Sequence, residues 1–134
     1  MRGWLVDRSA LIRIGSSPDA DQWSGRAQRG LIRIATPTVL EEGYSARSEQ
    51  EWNEIVHTTP ISWLPVEHLS ERAELRALEV QGLLVRRGQH RAPSVPDLLI
   101  AAAAETAGLT VLHVDKDFEL IAEVTGQAVE RLRL

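Results

Sequence analysis

Five short apolar runs, at 4–6, 31–35, 61–66, 110–114 and 129–132, are set apart by stretches whose apolar residues recur at helical spacing. No two of the runs are close enough to be joined by a tight hairpin turn. Even the shortest connection, residues 115–128, is long enough to carry a helix back across a sheet. Strands linked this way run parallel, because an antiparallel neighbour would return through a loop of a few residues. A parallel sheet must be covered on both faces, so the pattern predicts a three-layer α/β fold with a mostly parallel five-stranded sheet flanked by helices.

The intervening segments carry their own start and stop signals. Thr36-Pro37 reads as an N-cap followed by the first helical residue, and Ser48 with Glu51 as a capping box. Ser94 opens a helix that Gly108 closes. Further helices are expected at 9–14, 19–29 and 117–124, and at 67–84 from the spacing of Leu69, Ala73, Ala77, Val80 and Leu84. Residues 86–93 read as a basic loop. Trp4 and Trp63, on strands, are expected in the core, while Trp23 and Trp52, on amphipathic helices, suit either the core or an interface. With 134 residues and no linker, repeat or low-complexity tract, residues 1–134 form a single domain.

Composition excludes several classes. There is no cysteine, hence no disulfide, no thiolate metal site and no cysteine nucleophile; this suits an intracellular, cytoplasmic protein. No apolar run approaches the roughly 20 residues that span a bilayer, and no signal-peptide core precedes Trp4. The net charge of −4 argues against a generally sticky nucleic-acid binder, yet all but one of the 15 basic residues are arginine. Arginine makes planar, bidentate phosphate contacts that lysine does not.

Four of the six aspartates follow or open an apolar run: Asp7, Asp97, Asp115 and Asp117. In a parallel sheet, ligands bind beyond the carboxyl ends of the strands. Asp7 ends the first strand and Asp115 the fourth, so both belong to that rim. Asp97 lies in the first turn of the Ser94 helix, and Glu41 early in the helix after the second strand. Each pair of such charges about 5 Å apart would cost about 3 kcal/mol at an effective dielectric near 20. A cluster of four survives by protonation, by pairing with arginine or by holding a cation. Oxygen ligands alone select a hard ion, Mg²⁺ with Mn²⁺ as a substitute. The four histidines, His57, His68, His90 and His113, show no paired ligand spacing.

These residues resemble the motifs of PIN domains. Leu5-Val6-Asp7-Arg8-Ser9-Ala10-Leu11 is similar to the family's opening strand, which ends in D-x-S. Thr38-Val39-Leu40-Glu41 is similar to its second motif, Pro96-Asp97-Leu98-Leu99-Ile100-Ala101 to its third, and His113-Val114-Asp115-Lys116-Asp117-Phe118 to its fourth. The match runs in order over nearly the whole chain, and the short length looks most like the VapC toxins of bacterial VapBC toxin–antitoxin pairs. The resemblance implies a PIN-like fold and a Mg²⁺-dependent endoribonuclease that cuts tRNA, rRNA or mRNA, is neutralised by a VapB-type antitoxin, and forms a homodimer. It carries catalysis to Asp7, Glu41, Asp97 and Asp115, and metal binding to the same four. Asp117 joins the metal set at a position acidic in only part of the family. Ser9 would orient the Asp7 carboxylate; Arg8 stands where threonine is commoner. Glu42 lies one residue from Glu41, and spacing favours Glu41.

Hydrolysis by a metal-activated water would leave a 3′-hydroxyl and a 5′-phosphate. Because an acidic rim repels RNA, Arg8, Arg86, Arg87 and Arg91 are the candidates to hold phosphates. The competing readings are a catalytically inactive PIN-like module that binds protein or RNA, and another metal-dependent phosphotransferase. An aspartyl phosphatase would need D-x-D after the first strand, where Asp7-Arg8-Ser9 stands.

Overall fold

The computed structural model describes residues 2–134. In chain order the elements are β1 (Trp4–Val6), α1 (Arg8–Leu11), α2 (Ala20–Gln28), β2 (Ile32–Ala35), α3 (Thr36–Tyr44), α4 (Glu49–His57), β3 (Val66–Glu67), α5 (Glu71–Arg86), α6 (Val95–Ala107), β4 (Thr110–His113), α7 (Lys116–Thr125) and β5 (Val129–Arg131). All four strand pairings are parallel, in the order β3-β2-β1-β4-β5. The chain builds outward from β1 to β2 and β3, then returns to the other side of β1 for β4 and β5. The switch in direction falls beside β1, where loops from neighbouring strands leave in opposite directions and open a crevice.

Alternation along the central strands divides the core into two layers. Trp4 and Val6 of β1, Ile32 and Ile34 of β2 and Leu112 of β4 point to one face, where Ala10 and Trp23 meet them. Leu5 and Val111 point to the other, against Val80 and Leu84 of α5, Leu98, Ile100 and Ala104 of α6, and Phe118 and Ile121 of α7. Trp23 is buried edge-on to Trp4, with ring centroids 5.1 Å apart, and the Arg26 guanidinium caps both indoles. Gly3 has φ 103°, and its missing Cβ lets the Leu31 carbonyl approach closely enough to accept from Trp4 N at 2.8 Å.

Helix α6 explains how the rim is aimed. Ala101 to Ala104 are all buried, so small side chains let the helix lie close to the sheet on one side and to α5 on the other. Its start is set by a reciprocal capping box: Asp97 N donates to Ser94 Oγ, and Ser94 N donates to Asp97 Oδ2. Its end is fixed by Gly108 in the left-handed region, φ 73°.

Several local expectations change. The run 61–66 is not a strand: Ile61–Trp63 is a single 3-10 turn, and only Val66 and Glu67 pair, with β2. Pro60 and Pro65 remove backbone donors at both ends of the run, and Trp63 is 65% exposed rather than core. Ala35, not Thr36, caps α3, with Pro37 in the first turn. Helix α5 begins at Glu71, after Ser70, whose hydroxyl accepts from Ala73 N. It runs on through Arg86, so that residue is helical and the loop begins with Arg87. Trp52 is 42% exposed on α4. Among the described residues no helix is long and apolar enough to cross a membrane.

Candidate metal centre at the carboxyl rim of the sheet

Asp7 leaves β1 as the cap of α1 and is 4% exposed. Its Oδ2 accepts from the backbone N of Ser9 at 3.0 Å and from Ser9 Oγ at 2.6 Å. The same hydroxyl accepts from Val114 N at 2.9 Å. Ser9 therefore ties the end of β1 to the end of β4, and with it Asp7 to the segment that carries Asp115. Asp115 in turn caps α7, its Oδ1 accepting from Asp117 N at 2.9 Å.

Five acids from four parts of the chain line one cleft of about 350 Å³: Asp7, Glu41, Asp97, Asp115 and Asp117, with Ser9, Ser94, Arg8, Arg13, Ile12 and Ala92. Asp97, Asp115 and Asp117 each offer a carboxylate oxygen within 4.8 Å of the others. Asp117, at a position acidic in only part of the family, thus stands within the three-acid group. Glu41 and Glu42 separate cleanly. Glu41 faces the cleft, while Glu42 Oε1 lies 3.0 Å from Arg8 Nε.

The electrostatics show the strain of this arrangement. Burial, chiefly, pushes the Asp97 carboxyl up to about 6; the Ser94 backbone hydrogen bond opposes the rise, and the Asp7 and Asp115 charges add to it. Glu41 is raised by burial and then by Asp7, and Asp117 by burial and then by Asp115. One oxygen of Glu41, Oε1, is buried with no hydrogen-bond partner among the described residues. Asp7 and Glu41 line the cleft but lie outside that three-acid group, and a divalent cation held in the cleft would lower each of the raised carboxyls. The donor set is all oxygen, which suits a hard ion rather than a soft one.

The arginines divide as well. Arg8 reaches the cleft and Arg13 lines it, its Nη1 donating to Ser9 O at 2.8 Å. Arg87 is paired with Glu123 at 3.0 Å on the surface. Arg86 and Arg91 are exposed and make no ion pair among the described residues. Sequence reasoning passed over His113, which lacks a partner at ligand spacing yet is fully buried, its Nδ1 accepting from Asp115 N at 3.1 Å. The available signal was its place within an apolar strand, two residues before a rim acid.

A family model for the PIN domain matches residues 4–124. Ribonuclease VapC2 of Mycobacterium tuberculosis (strain CDC 1551 / Oshkosh) is 57% identical over 129 residues, which span 96% of this chain and 92% of that protein. Ribonuclease VapC51 of Mycobacterium tuberculosis (strain ATCC 25618 / H37Rv) is 41% identical, over 92% of this chain and 88% of the relative. In three dimensions the chain is similar to a chain of DNA-bound VapBC from Salmonella typhimurium, with TM-score 0.77, 20% identity and 98% of each chain covered. It is also similar to a chain of VapBC2 from Rickettsia felis bound to a promoter DNA fragment, with TM-score 0.77, 17% identity and coverage of 96% and 97%. At those identities the structural likeness speaks for the fold.

Proposed function

The chain belongs to the PIN domain family, and on that premise we propose that it is an endoribonuclease toxin, a single domain over 1–134 that hydrolyses RNA phosphodiesters with Mg²⁺, or Mn²⁺ in its place. The observation that carries this reading is the convergence of Asp7, Glu41, Asp97, Asp115 and Asp117 on one cleft, with carboxyls raised by burial and one buried oxygen unpartnered. The 57% identity to a ribonuclease supports the substrate class. When bound, the cation supplies positive charge against the reacting phosphate and a water of lowered pKa.

The protein's own groups do the rest. Ser9 fixes the Asp7 carboxylate, and its hydroxyl is engaged on both sides, giving its proton to Asp7 and accepting from Val114 N. That leaves it unsuited to act as a nucleophile; in this reading a water attacks rather than the RNA's own 2′-hydroxyl, and the products are a 3′-hydroxyl and a 5′-phosphate. The capping bonds of Asp97 and Asp115 each engage one carboxylate oxygen, which leaves the other for the cleft. Arg8 and Arg13, at the same cleft, offset the repulsion between an acidic rim and the phosphate backbone; Arg86, Arg87 and Arg91 extend the contact along the RNA.

The partner side of the reading is a VapB-type antitoxin that neutralises the toxin, with the toxin itself a cytoplasmic homodimer. The test is cleavage of a defined RNA by wild type and Asp7→Asn, with Mg²⁺ or with EDTA, followed by analysis of the ends. Cleavage by wild type alone, only with the cation, leaving 5′-phosphates, is expected. EDTA-resistant cutting that yields 2′,3′-cyclic phosphates would refute the mechanism. No cutting and no Mg²⁺-dependent change in melting temperature would favour a non-catalytic binding module.

A further inference from the structure

The N–H of a helix-capping residue has no partner inside its own helix. In α6 that gap is closed from downstream: the third helical residue, Asp97, accepts from the cap N–H of Ser94. In α7 the corresponding third residue is Phe118, which has no acceptor to offer. The cap N–H of Asp115 is instead taken from upstream, by His113 Nδ1 at 3.1 Å.

We propose that His113 is the positioning residue for Asp115, its Nδ1 holding the turn that delivers the Asp115 and Asp117 carboxylates to the cleft. The inference rests on the metal-centre reading above. The ring is well placed for the task. It is fully buried and tilted at 39° against Phe118, with centroids 5.6 Å apart. Its backbone is clamped on the β5 side by Leu132 N, which donates to His113 O at 2.8 Å. The next residue, Val114, is tied through Ser9 to Asp7. Residues 113–115 therefore form a short rigid bracket between two of the acids.

The chemistry of the imidazole points the same way. An accepting Nδ1 requires the neutral ring to carry its proton on Nε2. Nε2 is buried without a hydrogen-bond partner among the described residues. An apolar side chain of similar size would avoid that orphan donor, and packing alone gives no reason to keep a histidine here. The acceptor at Nδ1 does.

Two amide substitutions separate the roles. In His113→Asn the side-chain oxygen can stand where Nδ1 stood; in His113→Gln the amide reaches toward the place of Nε2 and leaves Asp115 N without its acceptor. Mn²⁺ affinity is read by paramagnetic resonance of the free ion, and stability from melting in EDTA. Loss of such an outer partner weakens metal binding about tenfold or more. That loss is expected for the Gln variant, with Asn staying within about threefold of wild type and the two melting alike in EDTA. Wild-type affinity in the Gln variant, or equal losses in both that follow their melting temperatures, would overturn the proposal. A measurement on the unaltered protein guards against misfolded variants: a trans-hydrogen-bond nitrogen–nitrogen coupling between Asp115 N and His113 Nδ1 is expected, and its absence is equally fatal. If wild type binds Mn²⁺ no better than Asp97→Asn, the metal-centre reading itself fails, and this inference with it.

Discussion

Replacing Asp97 by asparagine should make the metal-free protein more stable, although Asp97 is central to the proposed site. Asp97 is 7% exposed, and burial with two neighbouring acids raises its carboxyl from 3.8 to about 6. A folded-state value above the unfolded one means that the group favours folding at low pH. Its contribution is complete below the unfolded value near 3.8 and is lost as pH rises through about 6. At 1.36 kcal/mol per unit, the ionised carboxylate costs the metal-free fold roughly 3 kcal/mol at pH 8 relative to acid. Asparagine is close to isosteric and can still accept from Ser94 N, but its amide brings a buried donor that offsets part of the gain. A net increase of about 1–3 kcal/mol at pH 8 is therefore expected, or about 4 °C per kcal/mol in melting temperature for a domain of this size. At pH 4 nearly all of the ionisation cost is gone, so the variant's advantage should vanish or reverse. The assay is urea and thermal denaturation of both in EDTA at the two pH values. A parallel titration with Mg²⁺ at 100 times its Kd should lift wild type by about 2.7 kcal/mol and leave the variant unmoved. An asparagine variant less stable than wild type at pH 8 in EDTA, or a gap that does not change with pH, would refute the reasoning.

The two adjacent glutamates give a sharper contrast. Glu41→Gln should weaken Mn²⁺ binding by about tenfold or more while Glu42→Gln, which only releases Arg8, changes it by less than about threefold; equal losses measured by titration would contradict the geometry. For RNA, Arg86→Ala and Arg91→Ala should each lower the salt slope of binding by about 0.7. Arg87→Ala should lower it less, because Glu123 already answers that charge; slopes unchanged from wild type in all three variants would remove the loop and helix end from the RNA path.

What could be read in the sequence depended on whether one short segment held the whole signal. Asp7 and Asp97 were legible because each sits beside a signal of its own, the end of an apolar run or a serine cap. Asp117 was ambiguous because turn chemistry explains it equally well; only the fold, by bringing α6 beside the β4–α7 turn, puts it within 4.8 Å of Asp97 and Asp115. Glu41 and Glu42 differ by one helical step; spacing favoured Glu41, and the fold adds the physical reason by setting Glu42 against Arg8. The run 61–66 misled because its apolar content belongs to a turn: Ile61 and Leu64 reach the core from it, while Trp63 points away. His113 was missed because its role is a bond to a backbone N–H, which leaves no trace in side-chain spacing.

The sheet order has a bearing on when during synthesis such a chain becomes dangerous. The acids of the cleft come from positions 7, 41, 97, 115 and 117 of 134, and β4, which seats the last two, must insert beside β1 before they can converge. A nascent chain that has delivered α6 to the solvent still lacks two of its five carboxylates and the bracket that orients a third. On the proposed reading, RNA cutting would wait until the chain is almost complete, and a product truncated before β4 would be inert.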